Sequence, residues 1–343
     1  MSNTPDDEAA KYQEKLKKKI KELEHEFERY LTTATLFYSI WNFFKVKHNF
    51  PVEIEPSLKL SLNNRNPKPK TVRPDIVFYR NHNKEGILLI IEYKYGIKGD
   101  PKHVLRDLKD VEKYLRLSET ILLVPNSQFG LLSRDNIIDQ LNPRLIIWGV
   151  EINPEKKEIK FIPHRGMPSY RKFIQILEEQ KYKIPYKIVT IRFPFIRQNP
   201  PPPYAAIRLW NILTSIAGTY QLYDESEPEF NYDEIYEELE DYFPPWLSLN
   251  EDTKQFKQKV FRRAIELLEY AKFLKIDWRN RKIKVNIHKG RNIKDLKEYL
   301  IRKAAEREIG PKPKLKPKKK EKETIPQKQV RLNGWIKIRQ RGE

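Results

Sequence analysis

The sequence predicts a mixed α/β domain followed by a smaller, helix-rich domain and a basic tail. Three observations predict it. Apolar residues recur at helical spacing near the N-terminus, short strand-like runs then alternate with a helix, and a run of prolines breaks the pattern before helical periodicity returns. A length of 343 residues suits two domains plus additional segments.

Over residues 9–45, Leu16, Ile20, Leu23, Phe27, Leu31, Ala34 and Tyr38 recur at steps of three and four, predicting one long helix. Residues 63–67, Asn-Asn-Arg-Asn-Pro, read as a loop. Asp75–Tyr79 and Ile87–Tyr93 read as strands, and the turn-rich stretch 81–86 joins them as a hairpin. A helix is expected at Pro101–Leu117 and strands at Thr120–Val124, Arg144–Ile152 and Glu158–Ile162. The order is read as helix, three strands (two of them the hairpin just named), helix, strand, within a first domain of residues 1–198. Asn199 and the prolines at 200–203 predict a stiff extended linker over 199–204.

The second domain, 205–290, has helical patterns at Ala205–Ala217, Tyr232–Tyr242 and Glu251–Phe273. Strand-like runs follow at Leu274–Asp277 and Lys282–Ile287, with Trp278, Arg279, Asn280 and Arg281 between them. Three helices and a basic hairpin make the pattern of a winged helix-turn-helix. A further short helix is expected at Lys294–Arg307, within 291–310. Residues 311–328 alternate proline and lysine with almost no apolar residue, a composition that predicts disorder.

The formal net charge is +20, which favours a polyanionic partner, nucleic acid above all. Residues 311–343 alone hold nine Lys, three Arg and three Glu, a net +9. The absence of cysteine rules out disulfides, thiolate metal sites, iron–sulfur clusters and a cysteine nucleophile. The six histidines show no H-x-x-H or H-x-x-x-H spacing, which argues against a histidine metal site. No apolar stretch approaches membrane-spanning length, so the sequence predicts a soluble, intracellular protein of the cytoplasm or nucleoid with no membrane partner.

Asp75 opens one predicted strand, and Glu92 and Lys94 lie two apart on the next, after the apolar run Ile87–Ile91. Residues i and i+2 of a strand share a face, so a carboxylate and an ammonium project together from a strand made for burial. Such charges need pairing or a bound cation. A Mg²⁺ or Mn²⁺ ion between Asp75 and Glu92 would meet that need, since both ions prefer oxygen ligands. Pro74-Asp75, a gap of sixteen residues and Glu92-Tyr93-Lys94 resemble the PD-(D/E)XK nuclease superfamily over roughly residues 20–165. The resemblance implies a restriction-endonuclease-like αβββαβ fold and metal-dependent phosphodiester hydrolysis. Asp75 and Glu92 would be metal ligands, the Tyr93 backbone carbonyl would contribute, and Lys94 would position water or stabilise the transition state. It also implies an upstream helical glutamate. Of Glu22, Glu24, Glu26 and Glu28, Glu28 is the expected catalytic partner and Glu24 the second choice. Tyr114 matches a Gln-x-x-x-Tyr motif of some members, whereas Asp110 departs from it. Lys102, His103 and Arg106 lie near the expected active edge, where solvated surface is the simpler reading.

In the predicted third helix of the second domain, Lys254, Lys257, Lys259, Arg262 and Arg263 crowd the first half, as a DNA-contacting helix requires. Arg279, Arg281 and Lys282 at the hairpin would reach the backbone or the minor groove. Residues 224–241 oppose this with ten acidic residues in eighteen positions, and that face should avoid DNA. Near the C-terminus, Gln329, Leu332, Trp335 and Ile336 resemble the sliding-clamp (PCNA) interaction peptide, although Ile336 replaces its second aromatic. The expected activity is thus a Mg²⁺- or Mn²⁺-dependent deoxyribonuclease, an endonuclease of DNA replication or repair recruited by the sliding clamp, with pairing of two copies as an option for cutting both strands. Alternatives are a transposon end-cleaving or restriction endonuclease with sequence-specific binding, and a non-catalytic DNA-binding adaptor.

Overall fold

The computed structural model describes residues 5–60, 70–96, 100–186, 196, 199–219, 228–241, 251–286, 293 and 295–311. Lys15–Pro311 forms one compact unit, and the expected loop at 63–67 and the residues from 312 onward lie outside the described residues.

Helix α1 runs from Pro5 to Trp41 and continues as one π-helical turn, Asn42–Lys47, that buries Phe43 and Phe44. Its buried seam is Leu16, Leu23, Phe27, Tyr30, Ala34 and Phe37. Tyr30 and Phe37 take the places expected of Leu31 and Tyr38, which flank the seam half-buried. The helix lies against a mixed seven-stranded sheet in the order β1-β4-β5-β6-β7-β8-β9. Its strands are β1 (Val52–Ile54), β4 (Ile76–Tyr79), β5 (Ile87–Tyr93), β6 (Glu119–Pro125), β7 (Ile146–Asn153), β8 (Glu158–Arg165) and β9 (Lys183–Pro185). A separate two-stranded ribbon, β2 (Leu58–Leu60) with β3 (Lys70–Val72), precedes β4.

β1, β4 and β5 are antiparallel neighbours, whereas β5, β6 and β7 run parallel. The parallel strands are nearly all apolar because both faces are covered. On one face Phe78 meets Phe44 and Phe173 of α4 (Arg171–Glu179), at ring distances of 5.1 and 5.2 Å, and Tyr93 meets Phe37 of α1. On the other, Val77, Ile90, Leu122 and Val124 share a core with Val104 and Leu108 of α2 (Pro101–Lys109), and with Leu132 of α3 (Asn126–Arg134). Asp100 caps α2 by accepting from the Lys102 N–H at 3.0 Å. The single helix expected to Leu117 tightens at Asp110 into a 3₁₀ segment, Asp110–Arg116, which carries Tyr114 into this core.

The chain then builds α5 (Pro202–Thr219), β10 (Glu229–Asn231), α6 (Tyr232–Asp241), α7 (Glu251–Tyr270), β11 (Leu274–Asp277), β12 (Lys282–Val285) and α8 (Leu296–Ile309). The three strands form an antiparallel sheet in the order β10-β12-β11. The proline run departs from the expected extended spacer. Pro202 and Pro203 open α5, where a fixed φ and a missing N–H are tolerated, and Pro200, Pro201 and Pro203 are buried. Directly after them, Tyr204 packs edge-on to Tyr30 at 4.7 Å and against Phe27 at 5.6 Å. Lys19 adds an ion pair to Glu308 at 2.6 Å, so α1 serves both the sheet and the helical part. Among the described residues no helix is long and apolar enough to cross a membrane.

Tyr204 is 1% exposed, so Tyr204→Ala leaves a void between α1 and α5 and should cost about 3 kcal/mol of unfolding free energy. Denaturant titration followed by circular dichroism measures it, and a cost below about 1 kcal/mol would mean that this contact does not join the two parts.

Candidate active site

The antiparallel hairpin sets the site. Ile76 pairs with Ile91, and continuing that register brings Asp75 opposite Glu92 just where the backbone ladder ends. Side chains take over there. The Asp75 N–H donates to Glu92 Oε2 at 3.2 Å, and the Tyr93 N–H donates to Asp75 Oδ2 at 2.7 Å. Lys94 Nζ donates to Glu92 Oε1 at 2.9 Å, while its own N–H is held by the Leu123 carbonyl of β6. The expected trio therefore converges on the α2 side of the sheet, as strand alternation requires. Asp75 and Glu92 are 8% and 7% exposed.

Burial first, and the Glu92 charge second, push the Asp75 carboxyl well above the ordinary carboxylate range; the Tyr93 N–H and Lys94 oppose this. For Lys94, burial lowers the pKa, but the Glu92 charge and hydrogen bond, with Asp75, outweigh it and raise the value overall. Lys94 is thus a fixed cation at neutral pH and not a base. Tyr114 is also at the site. Its hydroxyl donates to the Arg73 carbonyl at 3.1 Å, pinning the segment that leads into Pro74-Asp75. Burial, then the Glu92 and Asp75 charges, raise its pKa.

Glu28 is not part of this cluster. It lies one residue beyond the buried Phe27, and a 100° step round the helix turns it away from the sheet. There it pairs with Lys297 of α8 and its side chain is 50% exposed. Glu24 is exposed as well, and Glu22 pairs with Lys19 at 3.6 Å. The further carboxylate whose charge bears on Asp75 is Glu55, absent from the sequence-based set. Glu55 is 6% exposed and follows β1 in a left-handed conformation (φ 48°); its N–H donates to the Asp75 carbonyl at 2.8 Å. Its sequence signal was weak: an acid next to Pro56, after the alternating Val52-Glu53-Ile54. On α2, Lys102, His103 and Arg106 are exposed; His103 and Arg106 sit 3.8 and 3.7 Å from Asp100 and Asp107.

No protein-family model, curated protein or solved structure matches this chain. The chemistry of the site therefore rests on its own residues. Among the described residues no group of three or more His, Cys, Asp or Glu side chains forms a metal cluster. The donor set on offer is the Asp75–Glu92 pair, two buried oxygen ligands whose mutual repulsion a divalent cation would relieve.

The cations expected to face DNA fare unequally. Lys254 is exposed, Arg263 is half-buried, and Arg262 pairs with Glu266 at 2.9 Å. Lys257 is only 3% exposed. Its spacing to the buried Val260, Phe261 and Ala264 puts it on the inner seam of α7, which removes it from a DNA-facing set. At the hairpin Arg279 is exposed, while Arg281 pairs with Asp233 and Lys282 with Glu229. The acidic segment thus neutralises the hairpin cations next to it, and these hydrogen bonds hold the Asp233 and Glu229 carboxyls below their ordinary range. Gln329, Leu332, Trp335 and Ile336 lie outside the described residues.

A carboxyl whose folded pKa is raised costs stability as pH climbs from its ordinary value of 3.8 toward the raised one. Asp75→Asn removes that cost. In chelator the variant should melt about 2–4 °C above wild type at neutral pH, with the gap closing toward pH 4. Added Mg²⁺ should raise the wild-type melting temperature and leave the variant unmoved. Calorimetry tests this; a variant less stable than wild type in chelator would contradict it.

Proposed function

We propose that this chain is a metal-dependent DNA nuclease of the PD-(D/E)XK type. The single observation that carries the reading is the meeting of Asp75, Glu92 and Lys94 at one end of the β4–β5 hairpin, beside the parallel strand β6. The element order supports it: α1, then the antiparallel β1, β4 and β5, then α2, then β6 parallel to β5.

Asp75 and Glu92 are the residues that would hold Mg²⁺ or Mn²⁺. Such an ion, when bound, supplies an activated water and shields phosphate charge. Lys94 is a permanent cation beside both carboxylates, suited to a phosphate oxygen that gains charge in the transition state. The Tyr93 N–H fixes one oxygen of Asp75, which orients the carboxylate before any ligand arrives. Tyr114 and Glu55 position the segment that carries Asp75 from either side, one through the Arg73 carbonyl and the other through its own backbone N–H.

The helical part supports a DNA-holding role. Its order, α5-β10-α6-α7-β11-β12 with sheet order β10-β12-β11, supports a winged-helix reading in which α7 is the third helix. Lys254, Arg263 and Arg279 remain the candidates for phosphate contact, whereas Arg262, Arg281 and Lys282 must first leave their acidic partners. The peptide containing Gln329, Leu332, Trp335 and Ile336 would recruit the enzyme to a sliding clamp, raising its local concentration on loaded DNA.

A panel of single-stranded, duplex, flap, fork and junction DNA, with Mg²⁺ or Mn²⁺ and with or without clamp, tests the reading. Cutting should require metal, vanish in Asp75→Ala and fall about 10²–10³-fold in Lys94→Ala. Unchanged cutting in Asp75→Ala would refute the catalytic assignment. Cleavage at one short sequence without clamp affinity would favour a transposon end-cleaving or restriction enzyme, and no cleavage of any form would favour a DNA-binding adaptor. Trp335→Ala should keep basal cutting and lose clamp binding, read by surface plasmon resonance.

A further inference from the structure

A cavity of about 560 Å³ opens between α6, the first half of α7 and the turn joining β11 to β12. Its size falls in the usual range of small-ligand sites, about 300–1,000 Å³. Its walls are aromatic: Tyr232, Tyr236, Phe261 and Trp278. The Tyr232 ring lies 5.0 Å from Phe261 and 5.7 Å from Trp278. Trp278 is 55% exposed, a large ring left in water at a hairpin turn beside a cavity, where a planar partner could stack on it.

The polar lining narrows the partner. Gln255 and Gln258, exposed on the first turns of α7, carry both donors and acceptors, as the edge of a nucleobase requires. Lys259, Arg262 and Arg281 bring three cations. Lys259 makes no ion pair among the described residues, and Arg281 sits 5.1 Å over the Tyr232 ring while paired with Asp233. The only carboxylate in the lining, Asp233, is already neutralised. A cationic peptide would be repelled there; an anionic, planar ligand would not.

We propose that this cavity takes an unpaired base of a DNA strand, stacked on Trp278 with the Tyr232 ring at its side, and with its flanking phosphate on Lys259 and Arg281. The phosphate replaces Asp233 as the partner of Arg281. The proposal deepens the nuclease reading by giving its substrate a single-stranded stretch, and it rests on that reading for the choice of DNA as ligand.

The test uses the full chain carrying Asp75→Asn, so that the probe survives. The probe is a short oligonucleotide with a fluorescent base analogue, single-stranded or annealed to its complement. The single strand should bind more tightly than the duplex, with quenching of the analogue by stacking. Trp278→Ala should weaken single-strand binding about 5- to 100-fold, the weight of one stacked base, and leave duplex binding unchanged. Trp278→Phe keeps a ring and should restore most of the affinity. Asp233→Asn, which frees Arg281, should tighten the single-strand complex. Normal single-strand binding by Trp278→Ala, or equal losses on both probes, would overturn the proposal and assign the cavity to another occupant such as a protein side chain. If Asp75→Ala cuts DNA as wild type does, the nuclease reading falls and the base-binding result stands by itself. If cutting depends on Asp75 while Trp278 distinguishes nothing, only the base site falls.

Discussion

The site depends on a reciprocal exchange at the end of one hairpin. Where the β4–β5 ladder runs out, Glu92 accepts the Asp75 N–H and Asp75 accepts the Tyr93 N–H, so two carboxylates stand in for missing backbone carbonyls. Backbone donors there would otherwise be buried without acceptors. The same exchange forces two negative charges together in a site less than a tenth exposed. Lys94 offsets one of them, and Glu55 adds to the repulsion. The repulsion gives up stability at this point, a trade typical of functional sites.

The scaffold around the pair is built to keep it in place. On the α2 side the 3₁₀ tightening after Lys109 brings Tyr114 to the Arg73 carbonyl, and on the β1 side the left-handed Glu55 donates to the Asp75 carbonyl. Asp75 is therefore clamped on both sides by backbone contacts that do not consume its carboxylate. α1 covers the opposite face of the sheet, and its seam continues through Phe27 and Tyr30 to Tyr204. One helix thus packs against both the carboxylate-bearing sheet and α5 of the helical part.

A net charge of +20 overstates the cation surface left without an acidic partner. Arg281, Lys282 and Arg262 are each bound to a carboxylate of their own module, and Lys257 is buried. Surface pairs of this kind contribute little stability, so a phosphate can compete for the same cations at small cost.

Several features were legible in the sequence because they are periodic or local. The strand Ile87–Tyr93, the hairpin before it and the shared face of Glu92 and Lys94 follow from a period of two in an apolar run, and the helices α1, α5, α6 and α7 follow from steps of three and four. The inward position of Lys257 was also written in its spacing to Val260, Phe261 and Ala264, although its charge suggested the surface. Tertiary structure alone decided the rest. It turned Glu28 toward α8 and brought Glu55 to Asp75, because rotation about a helix and a left-handed turn before Pro56 are set by packing. It made the proline run the start of a packed helix, since nothing local shows that a surface waits to bury it. It gathered Tyr232, Phe261 and Trp278 into one wall from three separate elements, a meeting that depends on long-range contacts absent from any sequence window.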